Sequence, residues 1–167
     1  RRGTKNKSFQ QINDEIDKLK SNVGIRGDGQ TVNVSITTTK ENLSGILNLI
    51  GEIIKQPAFA QAEFDKLKEE QISNLESSRS EPQSIAFRVF GKTLNPYPKD
   101  DFRYEMSFDE EKDALNKLTL ADIKNFYERF YTTSNATAAI VGDFDEPSLV
   151  ISLNNLLDKW GSPVLYE

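Results

Sequence analysis

The chain has 167 residues, 37% of them apolar and 28% charged, with a formal net charge of −5. That length is enough for a real core, and ten Phe, five Tyr and one Trp need burying, which excludes the disordered class. No basic cluster points to nucleic acid, no apolar run reaches the roughly 20 residues of a membrane span, and the absence of Cys and His removes disulfides, the commonest zinc ligand and the Ser-His and Cys-His nucleophile systems.

Carboxylates, lysines and hydroxyls remain for chemistry. Arg1 opens the chain without an initiator Met or a signal peptide, and a segment of a longer protein is expected. Ser8-Phe9-Gln10-Gln11 fits a capping box, and Phe9, Ile12, Ile16 and Leu19 follow at helical spacing, so a first helix runs to near Asn22. Residues 23–30 hold Gly24, Gly27 and Gly29 around Ile25 and Asp28. They read as a short strand and a tight turn at Gly27-Asp28-Gly29, with an irregular loop as the alternative.

Residues 31–59 are the nucleus. Val32, Val34 and Ile36 alternate with Asn33, Ser35 and Thr37, which predicts a half-buried strand closing a hairpin. The period then changes: Leu43, Ile46, Leu47, Ile50 and Ile54 mark an amphipathic helix. Thr38-Thr39-Lys40-Glu41 fits a capping box at its start, and Pro57 stops it at Gln56.

Residues 61–79 read as a long exposed helix with Phe64, Leu67, Ile72 and Leu75 on its apolar side. Residues 80–83 cap a further helix with Pro82 in its first turn; Ile85, Ala86, Val89, Phe90 and Leu94 are its expected core face, and Asn95-Pro96-Tyr97-Pro98 ends it. A charged loop over 99–106 precedes a short helix over 107–118, opened by Ser107 with Glu110. Thr119 opens the next, on Leu120, Ile123, Tyr127 and Phe130. The apolar run at 136–141 predicts a buried strand leaving a turn at Gly142-Asp143. Asp145 caps a last helix with Pro147 in its first turn and Leu149, Leu153, Leu156, Leu157 and Trp160 on its core side; Gly161 and Pro163 stop it. The reading is α+β, an antiparallel sheet packed by about six helices, in one domain over 1–167. Three strands are thin cover for that many helices, so further strands are expected at one end.

The candidate chemistry is acidic. Glu69, Glu70 and Glu76 share one helix, and spaced acids bind metals or work as acid/base pairs. Without histidine and among lysines, a solvated face is the better reading. Asp100-Asp101 and Asp109-Glu110-Glu111 lack the alternating oxygens of an EF-hand loop and read as solvated charge, the latter at a helix start that suits acids. Gly24-x-x-Gly27-x-Gly29 lacks the Lys-Ser/Thr of a P-loop and leads into a strand. Arg103-Tyr104 suits a peptide carboxylate or carbonyl, or is merely exposed.

An ordered series of segments carries a resemblance: Gly3-Thr4-Lys5-Asn6-Lys7-Ser8, the glycine-rich hairpin into residues 31–38, Glu41-Asn42-Leu43 leading to Pro57-Ala58-Phe59, the Glu63-Phe64 helix, and Asn135 through Phe144. Together they resemble a domain of the pitrilysin, or insulinase-like, family of zinc metallopeptidases, also found in mitochondrial processing peptidase. The resemblance implies homologous α+β domains, two halves closing over a peptide, and an inverted zinc motif H-x-x-E-H in the catalytic domain alone. That motif would fall before residue 1. The family's third zinc ligand, a glutamate on the long helix, falls at about Asn74, where an amide is a poor substitute. The resemblance therefore implies the zinc-free domain that opens the second half of such an enzyme, with no catalytic, cofactor-binding or metal residue of its own, and zinc in the catalytic half of the parent. Its implied partners are a homologous catalytic domain or subunit and unfolded peptides, in a bacterial periplasm or cytoplasm. The alternatives are a non-proteolytic assembly subunit of the same fold and a stand-alone peptide-binding module.

Overall fold

In the computed structural model, residues 2–27, 31–158 and 160–161 are described. The expected turn at Asp28 and Gly29 and the stop at Pro163 lie outside them. The described residues form seven α-helices and one two-stranded antiparallel sheet, and they divide into two compact units. One draws on Arg1–Ala60 and Lys124–Glu167, the other is Gln61–Ile123. The α+β class is as expected from the sequence.

In the first unit, α1 (Phe9–Lys18) starts at the expected capping box: the Ser8 hydroxyl accepts from the Gln11 amide and the Gln11 side chain accepts from the Ser8 amide. It ends earlier than the apolar spacing suggests, because Lys20 turns into the left-handed region at φ 49°. The hairpin follows, β1 (Asn22–Gly27) on β2 (Val32–Thr37), with Val23 opposite Ile36 and Ile25 opposite Val34. A 3₁₀ turn at Lys40–Asn42 leads into α2 (Leu43–Lys55), which stops at Gln56 as Pro57 dictates. The core joins these elements: Ile12, Ile16, Val23, Ile46, Leu49, Ile50 and Ile53 are buried together, with Leu19, Ile25, Ile36 and Ile54 packed on them. The C-terminal α7 (Glu146–Leu157) packs on α2, with Leu149 buried; Asp145 caps it by accepting from the Ser148 amide.

Three expectations for this unit are corrected. The capping box at Thr38 does not form; the Thr38 hydroxyl pairs with the Ser21 hydroxyl at 2.7 Å, and the 3₁₀ turn begins the helix without a side-chain cap. β2 is less buried than its alternation implies: Val32 and Val34 stay exposed, while Ile36 packs against the core. Residues 136–141 are not a buried strand. They carry no strand pairing among the described residues, and Val141 is 100% exposed. β-preference says that a stretch extends readily, while a strand also needs a neighbour to exchange hydrogen bonds with.

The second unit is helical: α3 (Gln61–Arg79), α4 (Pro82–Leu94) and α5 (Phe108–Lys117). The bounds of α3 match the sequence reading, and α5 opens on the expected Ser107–Glu110 capping box. α4 begins after Glu81, with Pro82 in its first turn but no side-chain cap from 80–83. Its expected core face is also corrected. Ile85, Ala86, Val89, Phe90 and Leu94 are exposed, and Leu75 is the buried apolar side chain of this unit among the described residues. α6 (Leu120–Phe130) starts in this unit and ends in the first; the Thr119 hydroxyl exchanges hydrogen bonds with Asp122 at its start.

Candidate functional site on the long helix

The acids singled out in the sequence all fall in the helical unit, on α3, on α5 or in the loop before α5. They do not converge. Asn74 is exposed on α3, one residue before the buried Leu75. Glu76 lies two positions on, roughly 200° around the helix, and its carboxylate pairs with Lys112 Nζ at 2.5 Å and Arg79 Nε at 3.8 Å. Lys112 first, then Arg79, holds its carboxyl below the ordinary range. Glu69 is exposed.

Arg79 also reaches Asp109 at 2.5 Å, so Glu76, Arg79, Asp109 and Lys112 link α3 to the start of α5. Arg88 of α4 reaches Glu111 at 2.6 Å and the Met106 carbonyl at 2.9 Å. Both guanidiniums lie over the Phe108 ring, Arg88 at 4.3 Å and Arg79 at 5.9 Å from its centroid. Glu110 accepts from Lys99, Lys92 and the Ser107 amide, and Lys99 with the Ser107 groups drives its carboxyl far below the ordinary range. The run Asp109-Glu110-Glu111 is therefore consumed by cations of three elements. Its spacing alone reads as solvent charge; the arginines 30 and 23 residues earlier in the chain are the signal that a pairing was available.

Asp101 binds Arg103 through both carboxylate oxygens, at 2.9 and 2.7 Å, which holds its pKa down at about 2. Arg103 also stacks 3.8 Å over the Tyr97 ring. A guanidinium held by a bidentate carboxylate and an aromatic face is built into its own loop, not set out for a ligand. The Tyr104 hydroxyl donates to Glu110. The glycines of the hairpin serve the sheet: a Cβ on Gly24 would stand 2.6 Å from the Ser35 hydroxyl across the pair.

This donor set does not suit zinc. At Asn74, where the resemblance puts a ligand, the side chain is neutral, imidazole is absent from the whole chain, and Glu76, on another side of the helix, is paired with two cations. Among the described residues no group of three or more His, Cys, Asp or Glu side chains is placed to hold a metal, and no helix is long and apolar enough to cross a membrane.

Comparison with known proteins bears on the fold. The sequence model of the peptidase M16 inactive domain matches residues 117–165. A peptidase M16 inactive domain from Pseudomonas fluorescens is 19% identical with a TM-score of 0.79, over 99% of this chain and 40% of that one. A protease from Helicobacter pylori is 18% identical with a TM-score of 0.81, over 99% of this chain and 39% of that one. The periplasmic protease PqqL from Escherichia coli is 19% identical with a TM-score of 0.73, over 99% of this chain and 19% of that one. This chain thus spans less than half the length of each. With its fold matched end to end and its C-terminal third matched by sequence, the chain has the fold of the peptidase M16 inactive domain, as the pitrilysin-type resemblance of its residues implied.

Proposed function

We propose that this chain is the non-catalytic domain of a zinc-dependent endopeptidase, walling the peptide chamber and packing on a homologous catalytic half. The observation that carries the reading is α3. Where the pitrilysin-type resemblance puts a glutamate ligand, this helix carries Asn74, and Glu76 is tied to Lys112 and Arg79. Bond cleavage needs a metal-bound or otherwise activated nucleophile. This donor set offers neither, so the domain contributes shape, charge and orientation. Zinc belongs to the catalytic half, and the substrates are unfolded peptides able to enter a closed chamber.

The test is metal and activity together. The complete gene product is expected to cleave an unfolded peptide with one zinc per catalytic half, and residues 1–167 alone to cleave nothing and carry no stoichiometric zinc by elemental analysis. One tightly bound zinc on residues 1–167 overturns the proposal. Peptide cleavage that survives deletion of this domain without loss of rate removes its role in the chamber.

A further inference from the structure

The hairpin has two unlike faces. Val23, Ile25 and Ile36 belong to the core or pack on it, and the side chains between them point the other way. There three cross-strand pairs, Asn22 with Thr37, Gly24 with Ser35 and Arg26 with Asn33, line a trough of about 390 Å³. An antiparallel sheet commonly leaves one face in water, but the groups on this one set it apart. It carries one cation and no acid, in a chain of net charge −5. The side chains of Asn22, Arg26, Asn33, Ser35 and Thr37 have no hydrogen-bond or ion-pair partner among the described residues. Asp101, Asp109, Glu110 and Glu111 are by contrast each engaged within the fold. Gly24 puts no side chain in the middle row, which leaves the trough its depth beside the Ser35 hydroxyl.

We propose that this trough takes an extended peptide segment and that Arg26 receives the carboxylate of an internal Asp or Glu side chain. The inference rests on the chamber reading, which supplies unfolded peptides as the ligand class. From Asn22 to Arg26 the strand rises about 13 Å, the length of about four extended peptide residues. The amides and hydroxyls of Asn22, Asn33, Ser35 and Thr37 both donate and accept, so they suit the N–H and C=O groups of any peptide. A guanidinium instead presents a fork of donors that matches a carboxylate in two parallel bonds. Arg26 is thus the group that distinguishes among peptides. A C-terminal carboxylate is the poorer match. Termini are captured by backbone N–H groups gathered in a nest, whereas the amides of a sheet lie in its plane, and those between β1 and β2 are spent on the ladder.

The test measures binding to the complete gene product by fluorescence anisotropy, with EDTA present to stop cleavage. Three labelled unstructured peptides are compared: one with a central Glu and an amidated C-terminus, its Gln counterpart, and the Gln counterpart with a free C-terminal carboxylate. The unmodified protein is expected to prefer the Glu peptide, and Arg26→Gln to weaken that peptide by about tenfold while leaving the two Gln peptides unchanged. Asn33→Asp sets a carboxylate directly across the pair from Arg26 and is expected to give the same selective loss. Both positions are exposed, so the melting midpoint is expected to stay in place in either variant. An equal loss for all three peptides, a loss confined to the free C-terminus, or no loss in either variant each overturns the inference. Cleavage assays on the unmodified, zinc-loaded protein report separately on the chamber reading: cleavage without an Arg26-dependent preference sinks this inference alone, and no cleavage of any peptide sinks the chamber reading.

Discussion

Thr4 and Glu52 show how single residues fasten the first unit. Thr4 is 5% exposed. Its hydroxyl donates to Glu52 at 2.6 Å and accepts from the Asn6 and Lys7 amides. Lys7 adds a 2.6 Å bond to Glu52 and a 3.1 Å pair to Glu15. With the Lys5 amide donating to the Gln56 carbonyl, this ties residues 3–7 to the end of α2. Lys7 first, then Thr4, holds the Glu52 carboxyl below its ordinary value of 4.5, and Glu52 chiefly holds the Lys7 ammonium above 10.5. The folded protein therefore binds Glu52's proton less readily than the unfolded chain does. The stabilisation is complete above pH 4.5 and is lost as pH falls through the lower folded value; for Lys7 it is complete below pH 10.5 and is lost as pH rises through the higher one. Glu52→Gln should cost about 1–2 kcal/mol at pH 7, measured by urea unfolding. The gap to the parent protein should close as the titration moves below pH 4.5. A gap that stays constant down to pH 2 would mean that the pair contributes nothing.

At the scale of elements, the expected caps at Ser8 and Ser107 formed and those at Thr38 and Ser80 did not, and at Thr38 the difference is local competition. Ser8 and Ser107 sit directly before their helices in extended backbone, with Gln11 and Glu110 at the third helical position. Thr38 has an alternative partner in Ser21, on the segment that leads into β1, and the chain uses it. Ser107→Ala should therefore cost about 1 kcal/mol of stability. Thr38→Ala should leave the helicity of α2 unchanged by hydrogen exchange of residues 43–46. Protection lost there on Thr38→Ala would restore the cap that the sequence suggested. The same competition explains α4. Its two basic residues face α5 because Glu110 and Glu111 are there to receive them, and the apolar side is left outward.

For the whole molecule, the argument concerns what each unit contributes. The first unit holds the apolar core, from α1 across the hairpin to α2. The helical unit buries Leu75 among its described residues and relies on ion pairs and on Phe108 beneath two arginines. Exposed and half-exposed pairs of that kind add little each and weaken with salt, so this unit's hydrogen exchange should rise first as ionic strength is raised. In the complete gene product, Asn74→Asp should leave peptide cleavage unchanged, because this chain holds no imidazole to complete a zinc site beside it. A change of tenfold or more in kcat would place α3 at the reacting centre and end the non-catalytic reading.

Residue order by itself determined the elements and their chemistry. The apolar spacing of α1, α2 and α3, the Pro57 and Asn95-Pro96 stops, the hairpin and the α+β class follow from short-range periods and backbone sterics, which need no partner. The lack of His and Cys was equally legible, and it removes the imidazole and thiol routes to a nucleophile. Only the tertiary structure decided which apolar faces are covered and which acids are paired. Residues 136–141 and the outer side of α4 have the pattern of buried segments and are open. Asp109, Glu110 and Glu111 have the pattern of solvent charge and are engaged. Burial and ion pairing are relations between distant segments, and periodicity along the chain states what a segment is suited to meet without stating what stands opposite.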